Sequence, residues 1–295
     1  MTTYNPKEYL LEQIESIYNQ NGVKVTLIVR DDCSTNKTYL RKAREKFKFD
    51  LLEGEQNVGV ANNIRELLRY ASSHCRDYDY FAYSDQDDVW LSDKIKIAVE
   101  HLKNMNNMKP IVYYSNLLVV NEKLEPSHEL FRRKVVKNTK GQSLAQVFLF
   151  ACTSVFNMKM IEEIKELDFS KMGFDSCIYY KGIWQGQAYF DDQPYIKYRQ
   201  HFDNVSGVKK KGTEYYIDKM KNFRNILKQS TMKDNAQYIL DNFNIQDRQD
   251  YELLVQVANY NSLRDRLSLM VNRRIRAGYN PKDFFNKIKL LMKCY

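Results

Sequence analysis

No apolar run in this 295-residue chain reaches the roughly 18 residues of a membrane-spanning helix, so the sequence offers no candidate span. No secretory signal is visible: Met1-Thr2-Thr3-Tyr4 leads directly into a polar helical stretch. The five cysteines (Cys33, Cys75, Cys152, Cys177 and Cys294) are scattered without a CxxC pair, which argues against a zinc site. An odd count with no signal points to reduced thiols in a cytoplasm. Glycine and proline are scarce, at 10 and 5, and neither that nor the 22 tyrosines carries a functional inference. Residues 2–9 hold no Gly-rich phosphate loop of the kind a nucleotidyltransferase would show near its first strand.

Hydrophobic residues make up 43% of the chain, enough for the core of one large domain or two small ones. The net charge is +9 and the pI about 9.1, which suits nucleic acid, anionic lipid or a phosphorylated small molecule; the sign alone does not choose. A nucleic-acid groove would alternate basic and aromatic residues without an acidic cluster, and this chain has two: Asp31-Asp32 and the acids of residues 85–88.

The second of these, Ser84-Asp85-Gln86-Asp87-Asp88-Val89-Trp90, follows an aromatic run (residues 78–83) short enough to be a buried strand. Three acids in four residues crowd negative charge into one spot, and a divalent cation relieves it. Mg²⁺ and Mn²⁺ take hard oxygen ligands, usually carboxylates together with phosphate oxygens. The alternative is an acidic turn ahead of a helix capped by Ser92 or Asp93. Spacing alone does not separate the two.

Along the chain, residues 6–18 read as a helix with Tyr9, Leu10, Ile14 and Ile17 on one face, Asn5 as its cap and Pro6 as its first residue. A β-branched strand over 23–29 ends in the Asp31-Asp32 loop. A helix to about Lys46, a strand over 49–52, a helix over 61–70, the 78–83 strand, a helix to about Met105 and a strand over 111–115 follow. This alternation predicts a mostly parallel sheet flanked by helices, with ligands beyond the carboxyl ends of the strands, where both acidic loops lie. Residues 122–140 read as a loop, 146–156 as a bent strand or strand pair, 158–167 as a helix, and Gly173-Phe174-Asp175 as the start of another. A short strand over 195–198 leads to Arg199 and His201; Asp191 and Asp192 read as a surface turn. Residues from 209 onward read as helices. The last of them carries Arg273, Arg274, Arg276, Lys282, Lys287, Lys289 and Lys293 among Phe284, Phe285, Ile288, Leu290 and Leu291. That is either a basic amphipathic segment for an anionic membrane face or an ordinary solvated helix.

Met1-Thr2-Thr3-Tyr4-Asn5, Asp31-Asp32-Cys33-Ser34-Thr35, Gln56-Asn57-Val58-Gly59, the 84–90 block and Tyr198-Arg199-Gln200-His201 with Asn204-Val205-Ser206-Gly207 occur in the order found in family 2 glycosyltransferases. The chain most resembles the rhamnosyltransferase-like branch over residues 1–207. The resemblance implies an α/β GT-A fold, Rossmann-like, with a nucleotide-sugar half (1–116) and an acceptor half (117–207); residues 208–295 follow as a helical, basic C-terminal region. It also implies a divalent Mg²⁺ or Mn²⁺ and a dTDP- or UDP-sugar donor. By position, Thr2 and Tyr4 would sit by the nucleobase, Asp32 would accept its imide N–H, and Asp85 would lie near the ribose. Asp87 would be the main metal ligand with Asp88 beside it, and His201 would approach the metal or the diphosphate. Arg199 is a second diphosphate candidate, and Asp175 falls where the family keeps its general base.

Each position also has a plainer role: Asp175 as a helix cap, His201 as a loop histidine, Trp90 as packing, Asn57 and Gly59 as turn formers. Two departures stand out. The apolar strand that the family carries before Thr-Thr-Tyr-Asn is missing or truncated, which would leave its neighbours unpaired and activity in doubt. The base segment reads Phe174-Asp175-Ser176-Cys177 where the branch has His-Asp-Trp-Trp. The resulting expectation is a cytoplasmic, metal-dependent, inverting transferase that extends a lipid-linked bacterial polysaccharide at the inner membrane face, with no nucleic-acid partner. A degenerate nucleotide-sugar binder is the rival. The branch points to rhamnose; glucose, galactose and their N-acetyl forms stay open.

Overall fold

The computed structural model describes residues 1–201 and 232–291. The 204–207 end of the last motif, the expected boundary at 207 and Lys293 lie outside the described residues.

Three parallel strands open the chain: β1 (Thr2–Thr3), β2 (Ile28–Asp31) and β3 (Asp50–Glu53), joined by the crossover helices α1 (Tyr9–Tyr18) and α2 (Thr38–Lys46). Helix α3 (Gly59–His74) leads to β4 (Tyr80–Ala82), and β5 (Val89–Trp90) follows the acidic block directly. After α4 (Lys94–Leu102) come β6 (Ile111–Val120), β7 (Pro126–Glu129), α5 (Lys140–Ala145), a 3₁₀ turn (Ala151–Thr153) and β8 (Val155–Asn157). Helices α6 (Met158–Ile164), α7 (Phe169–Met172) and α8 (Phe174–Gln185) precede β9 (Gln187–Arg199). The second sheet runs β4-β8-β6-β9-β5, with β7 on β6. In it only β6 and β9 are parallel; the other pairs are antiparallel, so the sheet is mixed where alternation alone suggested a mostly parallel one.

β1 is two residues long, and among the described residues no strand pair joins the two sheets. Side chains span the gap: Thr2 Oγ1 and the Tyr83 hydroxyl are 2.7 Å apart, and Tyr78 donates to Thr26 Oγ1 at 3.0 Å. The Met1 ammonium donates to Ile28 O at 2.9 Å, and burial pushes its pKa down to about 5.

Several expectations are corrected. The strand expected over 23–29 is Ile28–Asp31, because β3 supplies only the four matching rungs. Asn5 does not cap α1. It sits at φ 43°, and its side-chain oxygen accepts from the Asn36 N–H at 2.9 Å, tying two loops together. The short strand expected over 195–198 is part of a 13-residue β9 that follows β6 through a register shift near Pro194. Asp191 and Asp192 are therefore strand residues, accepting from the Tyr113 hydroxyl and the Lys134 N–H.

The C-terminal helices are α9 (Met232–Asn242), α10 (Arg248–Ala258), α11 (Leu263–Val271) and α12 (Asn280–Leu291). They are not a detachable basic tail. Ile239, Leu254, Val257, Leu269 and Leu290 join Cys177, Ile178 and Tyr180 of α8 in one buried cluster. Gln142 Nε2 donates to Ala277 O, and Asn286 Nδ2 to Ala145 O. At Gly141 a Cβ would lie 2.1 Å from Arg274 O, so this contact admits glycine alone. Gly141→Ala should therefore lower stability by about 2 kcal/mol, roughly 5 °C in Tm, and speed proteolysis after Met270. A thermal melt with limited proteolysis checks both.

Candidate active site

The acidic turn leaves β4 and is gripped from several sides. Tyr83 donates to Asp85 Oδ1 at 3.0 Å. Gln86 clamps the backbone of Tyr4, just past β1, accepting from the Tyr4 N–H at 3.0 Å and donating to its carbonyl at 3.3 Å. Helix α1 contributes a buried polar row among Leu10, Ile14 and Ile17. Gln13 donates to Ser84 Oγ at 2.6 Å, Ser16 Oγ accepts from the Trp90 N–H at 3.0 Å, and Gln20 Oε1 accepts from the Ile95 N–H at 3.0 Å. Gln13 and Ser16 lie on one face of α1, and Gln20 follows two residues past its end. Their signal in the sequence was polar residues inside an apolar stripe.

Asp87 and Asp88 are separated by their surroundings. Asp87 Oδ2 meets His201 Nε2 at 2.8 Å, and the His201 ring stacks on Tyr9 with centroids 5.3 Å apart. Asp88 is turned inward and fully buried. Its Oδ1 accepts from the Arg199 N–H at 3.1 Å, its Oδ2 has no hydrogen-bond partner, and the Cys152 sulfur lies within 4.8 Å. Burial, with Asp87 and Asp85 adding, pushes the Asp88 carboxyl well above the usual range; burial does the same to the Cys152 thiol. Lys94, also fully buried, lies 3.9 Å from the Trp90 ring centroid, and burial lowers its pKa to about 7 against the pull of Cys152 and Asp88.

Arg199 does not present itself as a diphosphate ligand. It is 2% exposed; Nε donates to Asp87 O at 2.9 Å, Nη1 to Glu122 O and Nη2 to Glu12, and the guanidinium lies 4.4 Å from the Tyr9 ring centroid. It fastens the acidic turn to α1 and to the end of β6.

Asp31 and Asp32 divide the loop after β2 between them. Asp31 accepts from Thr3 Oγ1 at 2.9 Å and from the Ser34 N–H at 2.8 Å. Asp32, 2% exposed, accepts from the Val58 N–H at 3.0 Å and the Gly59 N–H at 2.9 Å, so it closes the start of α3. The Gln-Asn-Val-Gly motif thus supplies the donors that hold Asp32. Thr2 is buried on Tyr83, whereas the Tyr4 side chain is 45% exposed.

Asp175 sits in the first turn of α8, just after Gly173, whose φ of 78° turns the chain out of α7. It is no helix cap. Its Oδ1 accepts from the Ala151 N–H at 3.0 Å, and burial pushes its pKa up to about 6. Asp85 is raised to about 7 by burial, then by the charges of Asp87 and Asp175. Asp85 therefore lies near both Asp87 and Asp175, and His201 pairs with Asp87, beyond the ends of β4 and β9, while Asp88 is turned inward beside Arg199. Asp85 and Asp87 offer the carboxylate oxygens that suit Mg²⁺ or Mn²⁺, with His201 paired to Asp87, and the crowding that raises Asp85 is what a cation relieves. The acids and thiol of Asp85, Asp88 and Cys152, within 4.8 Å of one another, suit it less, because the thiol stays protonated there.

The family model for Glycosyl transferase family 2 matches residues 1–165. The dTDP-rhamnosyl transferase RfbG of Shigella flexneri is 29% identical over 227 residues, 70% of this chain and 74% of that protein. The Escherichia coli protein WfgD, a UDP-Glc:alpha-D-GlcNAc-diphosphoundecaprenol beta-1,3-glucosyltransferase, is 25% identical over 47% of this chain and 54% of its own. Among solved structures, S. aureus TarS 1-349 in complex with UDP-GlcNAc superposes with a TM-score of 0.58 at 15% identity, covering 99% of this chain and 89% of that one. The mannosyltransferase PcManGT from Pyrobaculum calidifontis, in complex with GDP-Man and Mn2+, gives 0.53 at 14% identity, covering 99% and 84%. These two likenesses show the GT-A fold alone.

The support given by Asp32 is measurable without any ligand. Asp32→Ala removes both acceptors from the start of α3 and should cost about 1–2 kcal/mol in urea denaturation of the ligand-free protein. A change under a few tenths would mean that the helix end finds its acceptors elsewhere.

Proposed function

The chain belongs to Glycosyl transferase family 2 and is a glycosyltransferase, and from that premise we propose that it is a metal-dependent, inverting enzyme. It moves a sugar, rhamnose first among the options, from a dTDP- or UDP-sugar to a lipid-linked oligosaccharide of a bacterial surface polysaccharide. The observation that carries this is the convergence of Asp85, Asp87 and His201 with a separate, partly buried carboxylate, Asp175, whose pKa is pushed up to about 6. The dTDP-rhamnosyl relative favours rhamnose, and the diphosphoundecaprenol in the name of the second relative favours a lipid-linked acceptor.

In this proposal Thr2, Tyr4 and Asp32 line the nucleobase side. Asp32 has two lone-pair positions left after its two backbone donors, enough for an imide N–H. Asp85 faces the ribose and, with Asp87 and His201, would hold the cation. When bound, Mg²⁺ or Mn²⁺ supplies charge neutralisation for the departing nucleoside diphosphate. Asp88 and Arg199 keep the Asp87 main chain in position and touch neither sugar nor phosphate. Asp175, oriented by the Ala151 N–H, takes the proton from the acceptor hydroxyl. The acceptor oxygen so freed forms its bond to the anomeric carbon opposite the departing nucleoside diphosphate, and a single displacement of that kind inverts the centre, by the same geometry that separates inverting from retaining hydrolases. Among the described residues no helix is long and apolar enough to cross a membrane. We place the enzyme in the cytoplasm, held to the inner membrane face by its basic C-terminal region.

Asp175→Asn should keep nucleotide-sugar binding, read as thermal stabilisation, and lose transfer by about 10²–10⁴-fold. The base works ionised and its pKa is raised, so kcat/KM should climb as pH rises through about 6 and level off above it. Full turnover in Asp175→Asn, or a rate that is flat from pH 5 to 8, would remove Asp175 from the mechanism.

A further inference from the structure

Resting on the membrane reading above, we propose that α11 carries the surface that meets the bilayer: an apolar ridge of Leu263, Leu267 and Val271 that seats on anionic lipid. These three side chains are 59%, 48% and 74% exposed, whereas Leu269 on the opposite side is 1% exposed. Their spacing of four residues keeps them on one stripe of the helix. The adjoining α12 repeats the pattern with Phe284 and Leu291, 61% and 45% exposed and seven residues apart. Nine residues of helix span about 13 Å, too short to cross a bilayer and suited to lying in its interface.

The charge around the ridge selects its partner. Residues 262–291 hold eight Lys and Arg against two Asp. Arg264 and Arg273 are exposed beside the ridge, and the Arg274 side chain is 52% exposed. Asp265 is tied into the cap of α11, accepting from the Ser262 N–H at 3.0 Å. Apolar side chains ringed by cations match an anionic headgroup layer over acyl chains. A second copy of the chain fits poorly: a two-fold contact would set like charges against each other, and a few side chains fall short of the 20–30 residues a stable interface uses on each side.

The ridge is also fixed to the catalytic body. Gln142 and Ala145 of α5 bond to Ala277 and Asn286, and Ser143 Oγ accepts from Trp184 Nε1 of α8 at 3.0 Å. Seating α11 on a bilayer therefore orients α8, and with it Asp175, relative to the membrane plane.

The test is co-sedimentation of the full chain with vesicles of phosphatidylcholine alone or with roughly a third phosphatidylglycerol. Wild type should pellet with the anionic vesicles and fall by at least about tenfold on the neutral ones. Leu267→Glu/Val271→Glu should lose at least about tenfold on anionic vesicles, and Arg264→Glu/Arg273→Glu should lose several-fold and more at high salt. All four positions are exposed, so Tm should stay within about 2 °C. Undiminished binding of the Leu267→Glu/Val271→Glu protein would overturn the proposal. So would a wild-type dimer in sedimentation velocity that this variant dissolves without any vesicle binding. Both variants should keep turnover on a soluble acceptor; vesicle binding that persists in Asp175→Asn would separate a failure of the catalytic reading from a failure of this one.

Discussion

Carboxylates repel, and this protein gathers four of them where β4 and β9 end and α8 begins. Oxygens of Asp85 and Asp88 lie within 4.8 Å of each other. Two full charges at that distance cost roughly 3–4 kcal/mol at an effective dielectric near 20. The fold disposes of part of this. Asp88 is buried beside Asp85 and Asp87, which favours its protonated form against the opposing pull of the Arg199 N–H. Asp87 is matched by His201, and Asp85 by the Tyr83 hydroxyl. What remains is an excess of negative charge at Asp85 and Asp87, facing the place where a diphosphate would arrive. In the proposed function a cation would answer that excess.

The rest of the molecule holds this cluster against its own repulsion. Helix α1 and the residues just past its end do so through Gln13, Ser16 and Gln20, whose side chains bond the chain before, within and after β5. Arg199 draws together the Asp87 carbonyl, the end of β6 and α1. The loop after β2 is built in the same manner: Asp31 ties β1 to it, and Asp32 joins it to the start of α3. Substitutions in these supports would act on the site without touching a ligand.

Much of this was legible in the sequence because it is local. Strands followed by acidic loops, and a glycine before Asp175, place the reactive groups at strand ends and at a helix start. What was not legible depends on distant partners. Arg199 reads as a phosphate binder until its contacts are seen, 77, 112 and 187 residues away. Asp88 reads as a ligand beside Asp87, and only burial separates their roles. The C-terminal helices read as a tail because nothing in their own periodicity reports that Gly141 presses on Arg274. Asn5 matched a helix cap by local rules, yet the loop at Asn36 took its side chain.

If relief of crowded charge is the organising requirement, it must appear as metal affinity. Mn²⁺ titrated calorimetrically into the protein with UDP or dTDP present should reveal one saturable site, weakened at least about tenfold in Asp87→Asn, whose melting temperature stays near that of wild type. An Asp87→Asn protein that binds Mn²⁺ as tightly as wild type, or a wild-type protein with no saturable site, would contradict the account.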